Sequence, residues 1–159
     1  SLSNFKLENT LMAHSYDYPR PALTVDCIIF GQVPDTEGNQ DTKVLLIQRA
    51  REPFIGKWAI PGGFVDANET ALQAAKRELE EETNLKNIEM HQMYTFTEPG
   101  RDPRGWVVSI AYYAVVDIHQ CKPIAGDDAR HATWFSINEL PDLAFDHADI
   151  MKMAIERAF

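Results

Sequence analysis

Apolar and polar positions alternate in blocks that spell out strands and helices along most of the chain. Ala22 to Phe30 (ALTVDCIIF) is rich in β-branched residues and reads as a buried strand. Gly31 to Thr42 is a polar loop with Pro34, Gly38 and Asn39, and Lys43 to Arg49 is the returning strand, so the two form a hairpin with a long tip. Glu52 to Trp58 suits a packed loop, and Trp58 to Ile60 is a short strand leading into a glycine turn at Pro61, Gly62 and Gly63. The period then changes. From Ala71 to Thr83 apolar residues recur at helical spacing, with Leu72, Ala75 and Leu79 as the stripe facing a sheet at about 100° per residue. Thr70 is a good N-cap, and Gln73 three residues on completes a capping-box pattern.

Further strands are expected at Ile88–Thr97, Trp106–Val116 and Thr133–Ile137, with loops over 98–105 and 121–129. A closing helix spans Asp146–Ala158, with Asp146 as N-cap, His147 structural, and Ile150, Met153, Ala154 and Ala158 on its inner face. Residues 1–20 show no period and read as an N-terminal arm ahead of one domain over 21–159, extended and suited to packing on a neighbouring subunit. Strands intermingled with helices give an α+β class chain, an α/β/α sandwich with a mixed sheet between helices.

Composition narrows the function. The 159 residues suffice for one domain with a sizeable core, and no run is long and apolar enough to span a bilayer. No basic region followed by an apolar block opens the chain, which reads as cytoplasmic. Cys27 and Cys121 lack metal-ligand spacing and read as buried free thiols. A formal charge of −9 argues against this domain gripping a nucleic-acid backbone by itself, yet bound cations can reverse the local sign for a phosphate-bearing small molecule.

The chemistry concentrates between Gly63 and Leu85. Glu78 and Glu82 lie one helical turn apart, with Glu81 on the other side of Glu78 and four residues after Arg77, its natural partner. Ala71 and Ala74 share that face and leave space for a ligand. Crowded carboxylates repel unless a positive charge joins them, and oxygen donors without neighbouring His or Cys favour Mg²⁺ or Mn²⁺ over zinc. The plainer reading is a solvated acidic helix face.

Spacing decides between them. Gly63, Glu69 six on, Arg77-Glu78-Leu79, Glu81-Glu82 and Leu85 resemble the Nudix box, with Asn84 where the box has its last glycine. That residue would end the helix with positive φ, a conformation asparagine tolerates next best. RPALTVDCIIF, LLIQRAREPFIGKWAIPGGFVD, EPGRDPRGWVVSIAYYA, AGDDA and LAFDHADI extend the likeness to the ADP-ribose pyrophosphatase branch of the Nudix hydrolases and to Nudix-related transcriptional regulators of NAD metabolism.

The resemblance implies a Nudix fold and Mg²⁺-assisted hydrolysis of the ADP-ribose diphosphate to AMP and ribose 5-phosphate. It implies Glu78, Glu81, Glu82 and the Gly62 carbonyl as metal ligands, with Glu81, Glu82 and Arg77 as the catalytic set. Glu81, Glu98, Asp127 and Asp128 stand as candidates for the general base. Arg49, Arg101, Arg104, Glu98 and Gly63 are candidate substrate contacts, against ordinary surface roles for the arginines. Trp58, Phe64, Phe96 and Trp106 read first as core, with flanking of an adenine as the alternative. The regulator branch implies instead an ADP-ribose sensor, whose DNA contacts would lie in a C-terminal winged helix. The chain stops at Phe159 in an apparent uncapped helix, as a domain cut from a longer protein would. The arm and the resemblance together imply a homodimer.

Overall fold

The computed structural model describes residues 15–34, 40–126 and 129–159. Most of the expected arm, the hairpin tip and the two base candidates Asp127 and Asp128 therefore lie outside the described residues; residues 15–20 are exposed and irregular.

Among the described residues the order is β1 (Ala22–Pro34), β2 (Gln40–Arg49), β3 (Trp58–Ala59), β4 (Gly62–Phe64), α1 (Ala71–Thr83), β5 (His91–Phe96), β6 (Val107–Asp117), a 3₁₀ turn (Ile118–Gln120), β7 (Ala129–Ser136) and α2 (His147–Ala158). The strands form one mixed sheet in the order β3-β2-β1-β6-β5, with β4 also on β1 and β7 on β2. The expected hairpin is present, β1 and β2 pairing antiparallel from Phe30↔Val44. β1 and β6 pair in parallel from Ala22↔Val107 to Gln32↔Asp117, which makes β1 the central strand and explains its largely apolar run.

Alternation on β1 divides the core. Val25, Cys27 and Ile29 pack with Ala74, Ala75 and Leu79 of α1. Ile28 and Phe30 pack with Ile150, Met151 and Ala154 of α2 on the opposite face. The α/β/α sandwich and the two buried free cysteines are as expected. Two stripes shift. Leu72 is 37% exposed and Ala74 is buried in its place, so Ala74 serves the core rather than the expected ligand face, and Ala71 packs beside it. On α2, Met151 is buried and Met153 only partly so. The small side chains of Ala74 and Ala75 let α1 lie close to β1, near enough for Cys27 Sγ to donate to the Ala75 carbonyl at 3.4 Å.

Both ends of α1 match their local chemistry. The Gln73 amide donates to Thr70 Oγ1 at 3.1 Å and the Thr70 amide to Gln73 Oε1 at 2.8 Å. Asn84 closes the helix at φ 62°, its N–H on the Glu80 carbonyl at 2.8 Å. Asn84→Gly is expected to raise stability by less than about 1 kcal/mol, because glycine adopts this conformation without a Cβ penalty. Thermal melting checks it, and a melting point lower than wild type would show that the Asn84 side chain stabilises the helix end.

Candidate active site

The glycine turn and α1 build one wall of a cleft of about 750 Å³, counted with its open mouth. β4 pairs antiparallel with β1, Asp26 opposite Gly62 and Thr24 opposite Phe64. A Cβ at Gly62 would collide with the Val25 carbonyl, and one at Gly63 would stand 2.5 Å from Glu78 Cδ. Close approach of backbone to backbone requires glycine at Gly62, and at Gly63 an added side chain would displace the Glu78 carboxylate. Glu78 and Glu82 are buried, 1% and 7% exposed, and the Gly62 amide lies 3.4 Å from Glu82 Oε1. The structure thus brings Gly62, Gly63, Glu78 and Glu82 together in the cleft lining.

Arg77 organises this wall. Its Nε and Nη2 donate to Glu69 at 3.1 and 2.6 Å, Nη1 to Glu78 at 2.8 Å, and Nη2 to the Phe64 carbonyl at 3.0 Å. The expected Glu81 partner is present at 3.5 Å and is the weakest contact, since Glu81 is 38% exposed at its side chain. The Glu69 and Phe64 contacts escape helical periodicity because they come from the loop and strand that precede the helix. Hydrogen bonding from Arg77 holds the Glu69 carboxyl below its ordinary pKa, and Glu69 and Glu78 in turn hold Arg77 firmly charged.

The cleft is lined by cations as well. Arg49 donates from Nε to the Pro53 carbonyl at 2.7 Å and stacks on Phe145 at 4.9 Å. Arg104 is clamped to Asp102 at 2.7 Å and lies between the rings of Phe64 and Phe145, 4.7 and 4.9 Å away. Phe145, at φ 52°, therefore meets two guanidinium groups that line the cleft. Arg51 joins them, a residue the sequence reading missed although it stands two positions after Arg49 at the strand end. Arg101 lines the cleft as well, but its side chain is 5% exposed and bidentate to Asp146 at 2.8 and 2.7 Å.

Two expectations change here. Asp146 occupies the N-cap position without a side-chain cap bond, because its carboxylate is committed to Arg101. Trp106 is 53% exposed rather than core, while Trp58, Phe64 and Phe96 are packed. Glu98 is exposed and outside the cleft lining; its carbonyl accepts from the Arg101 amide at 3.3 Å. Glu81 also stands outside that lining. At the floor of the cleft, His147 and Asp26 are 5% and 6% exposed.

The donors suit a hard divalent cation. Among the described residues no three His, Cys, Asp or Glu side chains converge as a ready metal-ligand group. Two buried carboxylates beside a glycine backbone are instead what Mg²⁺ uses when phosphate oxygens and water complete its shell. The local field agrees: burial raises the Cys27 thiol pKa, and Asp26, Glu82 and Glu78 raise it further.

The family model for the NUDIX domain matches residues 23–154. The chain is 43% identical over 135 residues to an ADP-ribose pyrophosphatase of Methanocaldococcus jannaschii, covering 85% of this chain and 73% of that protein. It is 33% identical over 160 residues to the ADPR-responsive transcriptional repressor NtrR of Acinetobacter baylyi, covering 97% of this chain and 62% of the repressor. Among solved structures, the NUDIX domain of Shewanella oneidensis NrtR, crystallised with ADP ribose, superposes with a TM-score of 0.79 at 31% identity, covering 97% of this chain and 99% of that one.

Proposed function

This chain belongs to the NUDIX domain family, and from that premise we propose that it hydrolyses the diphosphate of ADP-ribose to AMP and ribose 5-phosphate with Mg²⁺ or Mn²⁺. One P–O bond of the diphosphate breaks, the water oxygen joins the phosphorus it attacks, and the proton released passes to solvent. The observation that carries the reading is the buried pair Glu78 and Glu82 against Gly62 and Gly63, in one cleft with Arg49 and Arg104.

Glu78, Glu82 and the Gly62 carbonyl would hold the cation, with Glu81 at its outer edge. When bound, it neutralises and orients the diphosphate and lowers the pKa of an attacking water. Arg77 fixes Glu78 in the rotamer that lies over Gly63. Arg49 and Arg104 supply positive charge to the phosphates, kept in place by Phe145 and Asp102. Arg101 acts indirectly, tying the 98–105 loop to α2.

A second reading is favoured by the likeness to the NrtR domain, which covers nearly all of both chains and was solved with ADP ribose bound. In it this domain senses ADP-ribose and the charge of −9 places any DNA contact outside it. Incubation with ADP-ribose and Mg²⁺, following AMP by chromatography and binding by calorimetry, separates the two. Rapid AMP release supports the hydrolase, tight binding without release supports the sensor, and no binding removes both. A homodimer in a cytoplasmic setting belongs to the same proposal. Exposed Tyr16 and Tyr18 offer apolar surface for a subunit contact, which sedimentation tests, and the two free thiols accord with a reducing compartment.

A further inference from the structure

We infer that His147 is a positioning residue for the glycine turn of the cleft, holding through the Ile60 amide the backbone against which Glu78 and Glu82 lie. The inference rests on the hydrolase reading for its consequence in turnover, though not for its geometry. His147 Nδ1 accepts from the Ile60 N–H at 3.0 Å, a bond that joins residues 87 apart in sequence. An accepting Nδ1 puts the ring proton on Nε2, which lies 3.4 Å from Asp26 Oδ1. Asp26 Oδ2 accepts in turn from Ser109 Oγ. The ring is therefore neutral, oriented at both nitrogens and anchored to β1 and β6, and its burial lowers its pKa in accord with that state.

What the ring holds matters more than that it is held. β3 ends at Ala59 and β4 begins at Gly62, so Ile60 and Pro61 bridge two strands. Pro61 has no N–H, and its carbonyl accepts from the Cys27 amide at 2.7 Å. Ile60 is 2% exposed, so its N–H needs a buried acceptor, and His147 is that acceptor. One backbone clamp and one side-chain clamp thus set the entry to Gly62 and Gly63. A displacement of this entry moves the backbone that touches Glu78 and Glu82.

The segment around His147 has the same bias. Phe145 packs on Arg49 and Arg104, Asp146 grips Arg101, and His147 grips the glycine turn. Three consecutive residues leading into α2 thus hold the cleft lining, Phe145 and Asp146 through its arginines and His147 through the glycine turn. A histidine that merely filled core space would have no reason to face a backbone donor two residues before the turn.

Two substitutions divide the ring's contacts. In His147→Asn the amide oxygen stands as many bonds from Cβ as Nδ1 and can accept from Ile60, while the reach to Asp26 is lost. In His147→Gln the amide nitrogen stands as many bonds from Cβ as Nε2 and keeps the Asp26 contact, while Ile60 loses its acceptor. His147→Gln is expected to weaken Mn²⁺ binding to the protein alone, read by electron paramagnetic resonance, by about 10-fold, the lower end for supporting residues around a metal. It is expected to lower kcat by a similar factor with KM little changed, and to speed hydrogen exchange at the Ile60 amide. His147→Asn is expected to stay within about threefold of wild type in each, well short of that supporting-residue effect. Equal losses in both variants, or none in His147→Gln, overturn the inference. Should His147→Gln not fold, His147→Asn decides: retained Mn²⁺ affinity and Ile60 protection support it, and their loss overturns it. A wild type that releases no AMP removes the hydrolase reading alone, because Mn²⁺ affinity and amide exchange still judge His147; if it also fails to bind Mn²⁺, Ile60 exchange judges it alone.

Discussion

Glu82→Gln is expected to abolish AMP release from ADP-ribose, lowering kcat by about 10³-fold, while leaving the metal-free protein as stable as wild type or more so. Loss of one of two carboxylate ligands removes about 4 kcal/mol of transition-state stabilisation by this measure, within the several kcal/mol that a bound cation supplies. The stability half follows from geometry. Glutamine keeps the shape of Glu82 and an oxygen for the Gly62 amide, which lies 3.4 Å from Glu82 Oε1. What it removes is a negative charge, 7% exposed, in a cleft already lined by Glu78 and Asp26. Relief of that repulsion offsets any loss of hydrogen bonding. Mg²⁺ should raise the melting temperature of wild type and leave that of Glu82→Gln unmoved. An equal Mg²⁺-induced rise in both proteins would mean that Glu82 is not a ligand, and undiminished turnover would remove it from the site altogether.

The parts of this site that were legible in the sequence are those written in local chemistry. Thr70, Gln73 and Asn84 mark the ends of α1 through bonds that span four residues or fewer. Glu78 and Glu82 share a face because the helix has 3.6 residues per turn, whatever lies opposite. The glycines at 62 and 63 were legible as a turn but not as β4, whose pairing depends on β1 some 38 residues earlier in the register Val25↔Gly63. Ala74 was misassigned because helical period fixes which residues share a face, not how the helix is rotated on its sheet. That rotation is set by the close approach of Ala74 and Ala75 to β1. The commitment of Arg101 to Asp146 spans 45 residues and appears in no periodic pattern. His147 was legible only as structural, since the amide it meets belongs to a different strand connection.

Arg77→Met should produce the opposite signature from Glu82→Gln: a metal-free protein that is much less stable, with its response to Mg²⁺ retained. Arg77 meets Glu69, Glu78, Glu81, Asp66 and the Phe64 carbonyl with one planar group. A lysine has neither the donors nor the fork to replace it. The Glu78 side chain, 2% exposed, would be left without this cation, and the 64–69 segment would lose its tie to α1. Removing one partner of a buried pair costs about 3–5 kcal/mol, and at this size that lowers the melting temperature by about 10 °C. The loss should shrink in acid. Arg77 holds the folded-state pKa of Glu69 below its unfolded value, so this contribution is full above the unfolded pKa and fades as pH falls through the folded one. The stability gap between wild type and Arg77→Met should therefore narrow by the Glu69 contribution as pH falls below the ordinary glutamate range. Mg²⁺ should still stabilise the variant, because both carboxylates remain and a competing positive charge beside Glu78 has gone. Turnover should fall even so, because Glu78 is no longer fixed over Gly63. Thermal melts with and without Mg²⁺ read both effects together. Normal metal-free stability with no Mg²⁺ response would show that Arg77 belongs to metal binding rather than to the frame that holds Glu78, and would reverse the roles assigned to the two residues.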